Sequence, residues 1–343
     1  MIYHYTVYGL NIALSQALTQ LRPAEHNDTD VFIDISNLSI PDLSEDKQDP
    51  EGANTSDGIS VFQTFDWICI SYPRSQEDVL RFYISKDGSK VISDKPNTIP
   101  ISDVESFILG PILGCVLRLR QRICIHASVM EFGGKAFAFV GNKGAGKSTT
   151  AAALLQAGAR LISDDVAVLN AGSPVDATVY RGYPSVSLFP KILSIFGLDK
   201  SNYKQVVSSM DKRYVPLIDT NNALDDADNW QFNSQPCQLT TIYTLNARQP
   251  DLHRTKIQTL STQQALIGLA PHGYARRILN KNQRAEEFSF MAKLSQRIIV
   301  KSIDRPDTLE RLPQVAEDIL ADVSNTSVEI LNRDIKQRHR IET

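Results

Sequence analysis

Short runs of aromatic and β-branched residues, separated by polar turn formers, fill the first hundred positions. Tyr3 to Tyr8, VFIDIS from Val31, WICISY, VLRFYIS and KVIS each read as strands, and KDGSK between the last two reads as a hairpin turn. IALSQAL, between the first two runs, predicts one or two helical turns. The stretch PDLSEDKQDPEGANTSDG, residues 41–58, is acidic and rich in turn formers, which predicts a surface loop or disordered insertion.

The periodicity changes at residues 102–122. Val104, Phe107, Ile108, Ile112, Leu113 and Val116 recur at helical spacing, with Ser102 or Asp103 as the expected cap and Gly110-Pro111 as the expected kink or division. ICIHASVMEF, a Gly-Gly pair and KAFAFV then read as two strands around a tight turn. Ala136 to Val140 is apolar enough to be buried on both faces of a sheet. STTAAALLQAG predicts a helix ended by Gly158, and ARLISDDVAVL a further strand. This strand–helix–strand order predicts an α/β domain. The expected division is a β-rich α+β N-terminal domain with a linker helix over 1–118, the α/β domain over 119–325, and a frayed, charged tail over 326–343.

Composition narrows the function classes. The chain has 343 residues, 42% of them hydrophobic and 22% charged, with a net charge of −3, so no basic excess argues for nucleic acid or an anionic membrane. No run approaches the length of a membrane span, and the N-terminus does not read as a signal peptide. The four cysteines, Cys69, Cys115, Cys124 and Cys237, form no CxxC pair and read as buried thiols in a reducing cytoplasm.

The local chemistry sits between the second strand and the helix. GNKGAGKS, residues 141–148, satisfies the phosphate-loop pattern GxxxxGK[ST] at Gly141, Gly146, Lys147 and Ser148. Glycines let backbone N–H groups close around phosphate oxygens, and the helix points its positive end at the same place. Gly141, Asn142, Lys143, Gly144, Ala145, Gly146, Lys147, Ser148 and Thr149 are the expected contacts of ATP. Lys147 is expected at the β- and γ-phosphates and Ser148 on Mg²⁺. Lys143 adds a second loop cation that either assists the γ-phosphate or is simply solvated. Asp164 and Asp165 close the next strand, where side-chain alternation predicts that one faces the metal and the other the nucleophile.

The stretch IHASVMEFGGKAFAFVGNKGAGKSTTAAALLQAGARLISDDVAVL resembles the HPr serine kinase/phosphorylase family, and most closely the related kinases of peptide-tailoring clusters, such as lasso-peptide kinases. GYPSVSLFP at 182–190, VYGLNIALS and PCQLTTIYTL add to the resemblance, which is specific only over 122–190. It implies a P-loop kinase core of the HPr kinase C-terminal type, and phosphoryl transfer to a hydroxyl, typically of serine. It further implies Asp164 as the general base, with His126 beside it and Asp165 supporting it or the metal alongside Ser148. One position departs from the family. Arg181-Gly182 follows Val179 and Tyr180, where HPr kinases carry a glutamate, so metal ligation rests on Ser148 and the aspartates. The expected acceptor is a peptide, a protein or a small metabolite, bound between the N-terminal domain and residues 190–235. A homo-oligomer is possible. Lys212, Arg213, His272, Arg276 and Arg277 are the remaining basic candidates. A regulatory module that binds nucleotide without transfer, and a plain ATPase, are the alternative functions.

Overall fold

The computed structural model describes residues 1–25, 28–36, 41, 58–75, 77–170, 177–219 and 230–341, with side chains described as far as residue 326. It is a mixed α/β protein with three sheets.

The first sheet contains β1 (Tyr3–Val7), β2 (Leu10–Leu14), β3 (Val31–Asp34), β4 (Ser60–Gln63), β5 (Trp67–Pro73), β6 (Val79–Ser85) and β7 (Lys90–Asp94), in the order β1-β2-β3-β7-β6-β5-β4. The expected strands and the β6–β7 hairpin are present. The helical turns expected in IALSQAL are not. Its first half lies in β2, because Leu10, Ile12 and Leu14 bury against the core while the backbone pairs with β1 on one side and β3 on the other. The loop expected over 41–58 lies outside the described residues across 42–57.

The linker is one continuous helical rod. It runs through α1 (Ile101–Phe107), a π-helical turn at Ile108–Ile112 and α2 (Leu113–Leu119). Pro111 sits inside the π turn, which absorbs its missing N–H without dividing the rod. Neither Ser102 nor Asp103 caps the start. Pro100 occupies the cap position, and the buried Asp103 carboxylate instead receives Arg74 at 2.9 Å and the Ser208 amide at 2.8 Å.

The second sheet has ten strands. It is built from β8 (Ile123–Phe132), β9 (Lys135–Val140), β10 (Arg160–Ser163), β11 (Val166–Leu169), β12 (Thr178–Tyr180), β16 (Ile218–Asp219), β17 (Gln231–Phe232), β18 (Cys237–Leu245), β19 (Lys256–Thr259) and β20 (Ile299–Asp304). Between β9 and β10 runs α3 (Lys147–Gln156). The two strands are parallel but not adjacent, since each pairs antiparallel with β8. A three-stranded sheet of β13 (Ser185–Leu188), β14 (Gln205–Val207) and β15 (Met210–Pro216) carries α4 (Pro190–Ile195).

Helices cover both faces of the ten-stranded sheet. α3 and α7 (Leu312–Ile341) bury Phe137, Phe139 and Tyr243 on one face. α5 (Thr262–Leu269) and α6 (Lys281–Arg297) bury Ala138, Val140 and Ile242 on the other. Val315, Ala316, Ile319 and Val323 of α7 recur at helical spacing, which is why this helix docks. Its backbone stays helical through Ile341, where a frayed tail was expected. A third apolar cluster joins β1–β7, the linker rod, Val166, Val168, Tyr183 and Tyr214, so one core draws on both sides of residue 118.

Candidate functional site

The buried strand β9 delivers the chain into a loop whose first position leaves little room for a side chain. A Cβ on Gly141 would lie 3.1 Å from Ala145 Cβ and 3.2 Å from the Leu245 carbonyl oxygen. Gly146, with φ of 96°, is the N-cap of α3, and no side chain caps the helix. The first-turn amides of this ten-residue helix therefore have no side-chain cap, which is the arrangement that favours an anion. Lys147 opens the helix, is buried, and donates from Nζ to the Gly141 carbonyl at 2.9 Å. Burial pushes its ammonium down in pKa, against the pull of Asp165 and Asp164. Asn142, Lys143 and Gly144 are exposed at the loop tip, while Ala145, Ser148 and Thr149 are half-buried.

Opposite the loop, β10 and β11 both pair antiparallel with β8; the register shifts between Leu161 and Ser163, after which Ser163 faces Val129 and Val166 faces His126 in the same register. Asp164-Asp165 is thus a two-residue break in an otherwise continuous antiparallel partner of β8. Asp165 sits in the left-handed region with φ of 72°, which an aspartate tolerates better than most residues. The break sends the two carboxylates to different partners. Asp164 is 5% exposed. Its Oδ1 accepts from Ser148 Oγ at 3.2 Å and from Ser128 Oγ at 2.6 Å, and its Oδ2 from the Ser187 amide at 3.4 Å. The Asp165 side chain is 44% exposed, and its Oδ1 lies 3.2 Å from His126 Nδ1. Its Oδ2 accepts from the Tyr274 hydroxyl at 3.0 Å.

The sequence expectation had His126 beside Asp164 and Ser148 sharing the metal with Asp165. In the structure His126 lies against Asp165, and the Ser148 hydroxyl against Asp164. Simple alternation along a strand fails because Asp165 adopts left-handed backbone. Burial pushes the His126 pKa down, offset in part by the Asp165 charge, and Nδ1 is placed to donate to Asp165 whenever it carries a proton.

Tyr274 is held from two sides. Its amide donates to the Cys124 carbonyl at 2.8 Å, and its ring lies against Gly114, where a Cβ would meet Tyr274 Cε1 at 2.3 Å. Its neighbour Gly273 packs on Glu287, a carboxylate paired with Arg118 at 3.1 Å and Arg276 at 3.3 Å. Arg213 pairs with Asp211. Lys212 stands within electrostatic reach, since its charge lowers the proton affinity of both His126 and Lys147. His272 is held down to about 4 by burial and by the Lys147 and His126 charges. It also lines a cleft of about 500 Å³ beside Gly141 and Asn142, walled by Asn246, Gln264 and Ile267.

Ser128, Ser187 and Tyr274 were not anticipated. Ser128 carried a usable signal, because it lies two residues after His126 and so shares its face of β8. Ser187 and Tyr274 arrive from distant segments and carried none.

The oxygen-only set of Ser148 Oγ and Asp164 Oδ1 suits a hard divalent cation such as Mg²⁺. Among the described residues, no group of three or more His, Cys, Asp or Glu side chains is placed to hold a metal, so further ligands would come from phosphate and water. No helix of the described residues is long and apolar enough to cross a membrane.

The chain matches no family model and no curated protein. Among solved structures it is similar to the HPr(Ser) kinase/phosphatase from Coxiella burnetii, at 14% identity and a TM-score of 0.27, over 63% of this chain and 97% of that one.

Proposed function

We propose that the chain is an ATP-dependent phosphotransferase that moves the γ-phosphoryl group to a hydroxyl of a peptide, a protein or a small metabolite. One observation carries this reading. The uncapped N-terminus of α3, bearing Lys147 and Ser148, faces two carboxylates with separate partners, one on Ser148 and the other on His126.

Residues 141–149 hold the triphosphate through loop amides and the Lys147 ammonium, which exchanges its bond to the Gly141 carbonyl for phosphate oxygens. Mg²⁺, when bound with ATP, neutralises charge on the β- and γ-phosphates, and Ser148 and Asp164 are the groups that would hold it. The acceptor hydroxyl gives its proton to a carboxylate as its oxygen attacks the γ-phosphorus; the bond to the β–γ bridging oxygen breaks and ADP leaves.

Asp165 is the base in this reading. Its carboxylate is open to solvent, whereas that of Asp164 is buried and accepts from two serine hydroxyls. His126 and Tyr274 orient it, as a third group orients the base in other catalytic constellations. The test is incubation with ATP, Mg²⁺ and serine-containing acceptors, read by mass spectrometry. Transfer by the wild type supports the reading. Tight ATP binding with no phosphorylated product from any acceptor rejects it.

A further inference from the structure

Arg305 follows β20 directly and is 3% exposed. Its Nη1 donates to Thr150 Oγ1 at 3.0 Å, and its Nη2 donates to the Ala145 carbonyl. Its Nε is buried without a hydrogen-bond partner. Among the described residues no carboxylate pairs with it, because nearby Asp307 is engaged by Arg248 at 3.3 Å. Burial pushes its guanidinium down to about 10. A buried cation with no acid destabilises a fold unless an anion approaches it.

We propose that Arg305 is a positioning residue that orients and charges the phosphate cradle from behind, and that its electrostatic counterpart is a bound polyphosphate. The proposal rests on the reading of residues 141–149 as that cradle. A peptide unit is planar and trans, so its C=O and the next N–H point in opposite directions. By holding the Ala145 carbonyl, Arg305 turns the Gly146 N–H away from itself, towards the mouth of the loop. The bond to Thr150 ties the same guanidinium to the first turn of α3, so loop and helix keep one relative orientation. Gly146 suits this approach: its φ of 96° is one that other residues rarely adopt, and a Cβ there would sit close, 3.3 Å from Arg305 Nη1.

Electrostatics and propping predict opposite results for stability. Removing a buried charge that has no acid partner relieves its desolvation cost, which offsets the loss of the bonds to Ala145 and Thr150. Loss of a mere prop lowers stability and leaves anion affinity alone.

The experiment measures Tm and the Kd for inorganic pyrophosphate in the wild type, Arg305→Met, Arg305→Lys and Lys147→Ala. Expected is a pyrophosphate-dependent rise in wild-type Tm, and an Arg305→Met protein whose ligand-free Tm is unchanged or higher. Its affinity for pyrophosphate should be about 10- to 100-fold weaker, the loss expected for charge-assisted hydrogen bonds. Arg305→Lys keeps the charge but not the paired donors, should fall between the two, and decides the matter if the methionine variant fails to fold. Wild-type pyrophosphate affinity in both Arg305 variants, with Lys147→Ala impaired, overturns the inference and leaves the cradle standing. A wild type that does not bind pyrophosphate overturns the cradle and the inference together.

Discussion

The Ser148 hydroxyl lies 3.2 Å from Asp164 Oδ1, joining the first turn of the loop helix to the break in the strand opposite. Asp164 keeps a second donor, Ser128 at 2.6 Å, so it does not depend on Ser148 for its burial.

Ser148→Ala therefore separates stability from metal use. Loss of one of two hydroxyl donors should cost about 1 kcal/mol or less in denaturant unfolding. Half-saturation of activity by Mg²⁺ should move up about 10- to 100-fold, the range seen when support around a metal is removed. Unchanged Mg²⁺ dependence would remove Ser148 from the metal site.

Gly114→Ala tests whether the linker rod sets the position of Asp165. Gly to Ala in a helix ordinarily stabilises by about 0.5–1 kcal/mol. Here the new Cβ would fall 2.3 Å from the Tyr274 ring, so the sign should reverse, to a loss of about 1–3 kcal/mol from overpacking. Displacing Tyr274 should also lower kcat, because its hydroxyl is bonded to Asp165. Thermal unfolding and steady-state kinetics on the same preparation read both effects.

His272 fixes a pH dependence of stability. Its folded pKa is lowered to about 4 from an ordinary 6.5. Between those values the unfolded chain binds more protons than the folded one, so stability falls as pH drops from 6.5 towards 4. Urea unfolding across that window should show the decline, and His272→Gln should make it shallower, the remainder including His126, whose pKa is also lowered. A decline of equal slope in the variant would assign it to other groups.

Much of the site was legible in the sequence because its signals are local. A buried apolar run, a glycine loop and an alanine-rich helix stand in consecutive order, and β9, the loop and α3 follow that order. The aspartate pair was likewise found by its place after the helix. Its division of partners was not legible, because alternation assumes extended backbone and Asp165 has positive φ. The side chains of Tyr274 and Arg305 reach Asp165 and Thr150 across more than 100 residues of sequence and have no local pattern to announce them. In the fold, IALSQAL misled because its leucines and alanines favour helix, while pairing with β1 and β3 decided the outcome. Asp103 misled for the opposite reason: its capping chemistry was real but was used by Arg74 and Ser208.

In the proposed reaction Asp165, steered by His126 and Tyr274, takes the acceptor's proton while the loop holds ATP. Single-turnover transfer from ATP to a serine-containing acceptor, compared between wild type and Asp165→Asn with the Kd for ATP measured on both, tests it most directly. An Asp165 base requires an unchanged Kd and a transfer rate lower by about 10²- to 10⁴-fold in the variant, the usual contribution of a general base. Full transfer by Asp165→Asn would contradict it.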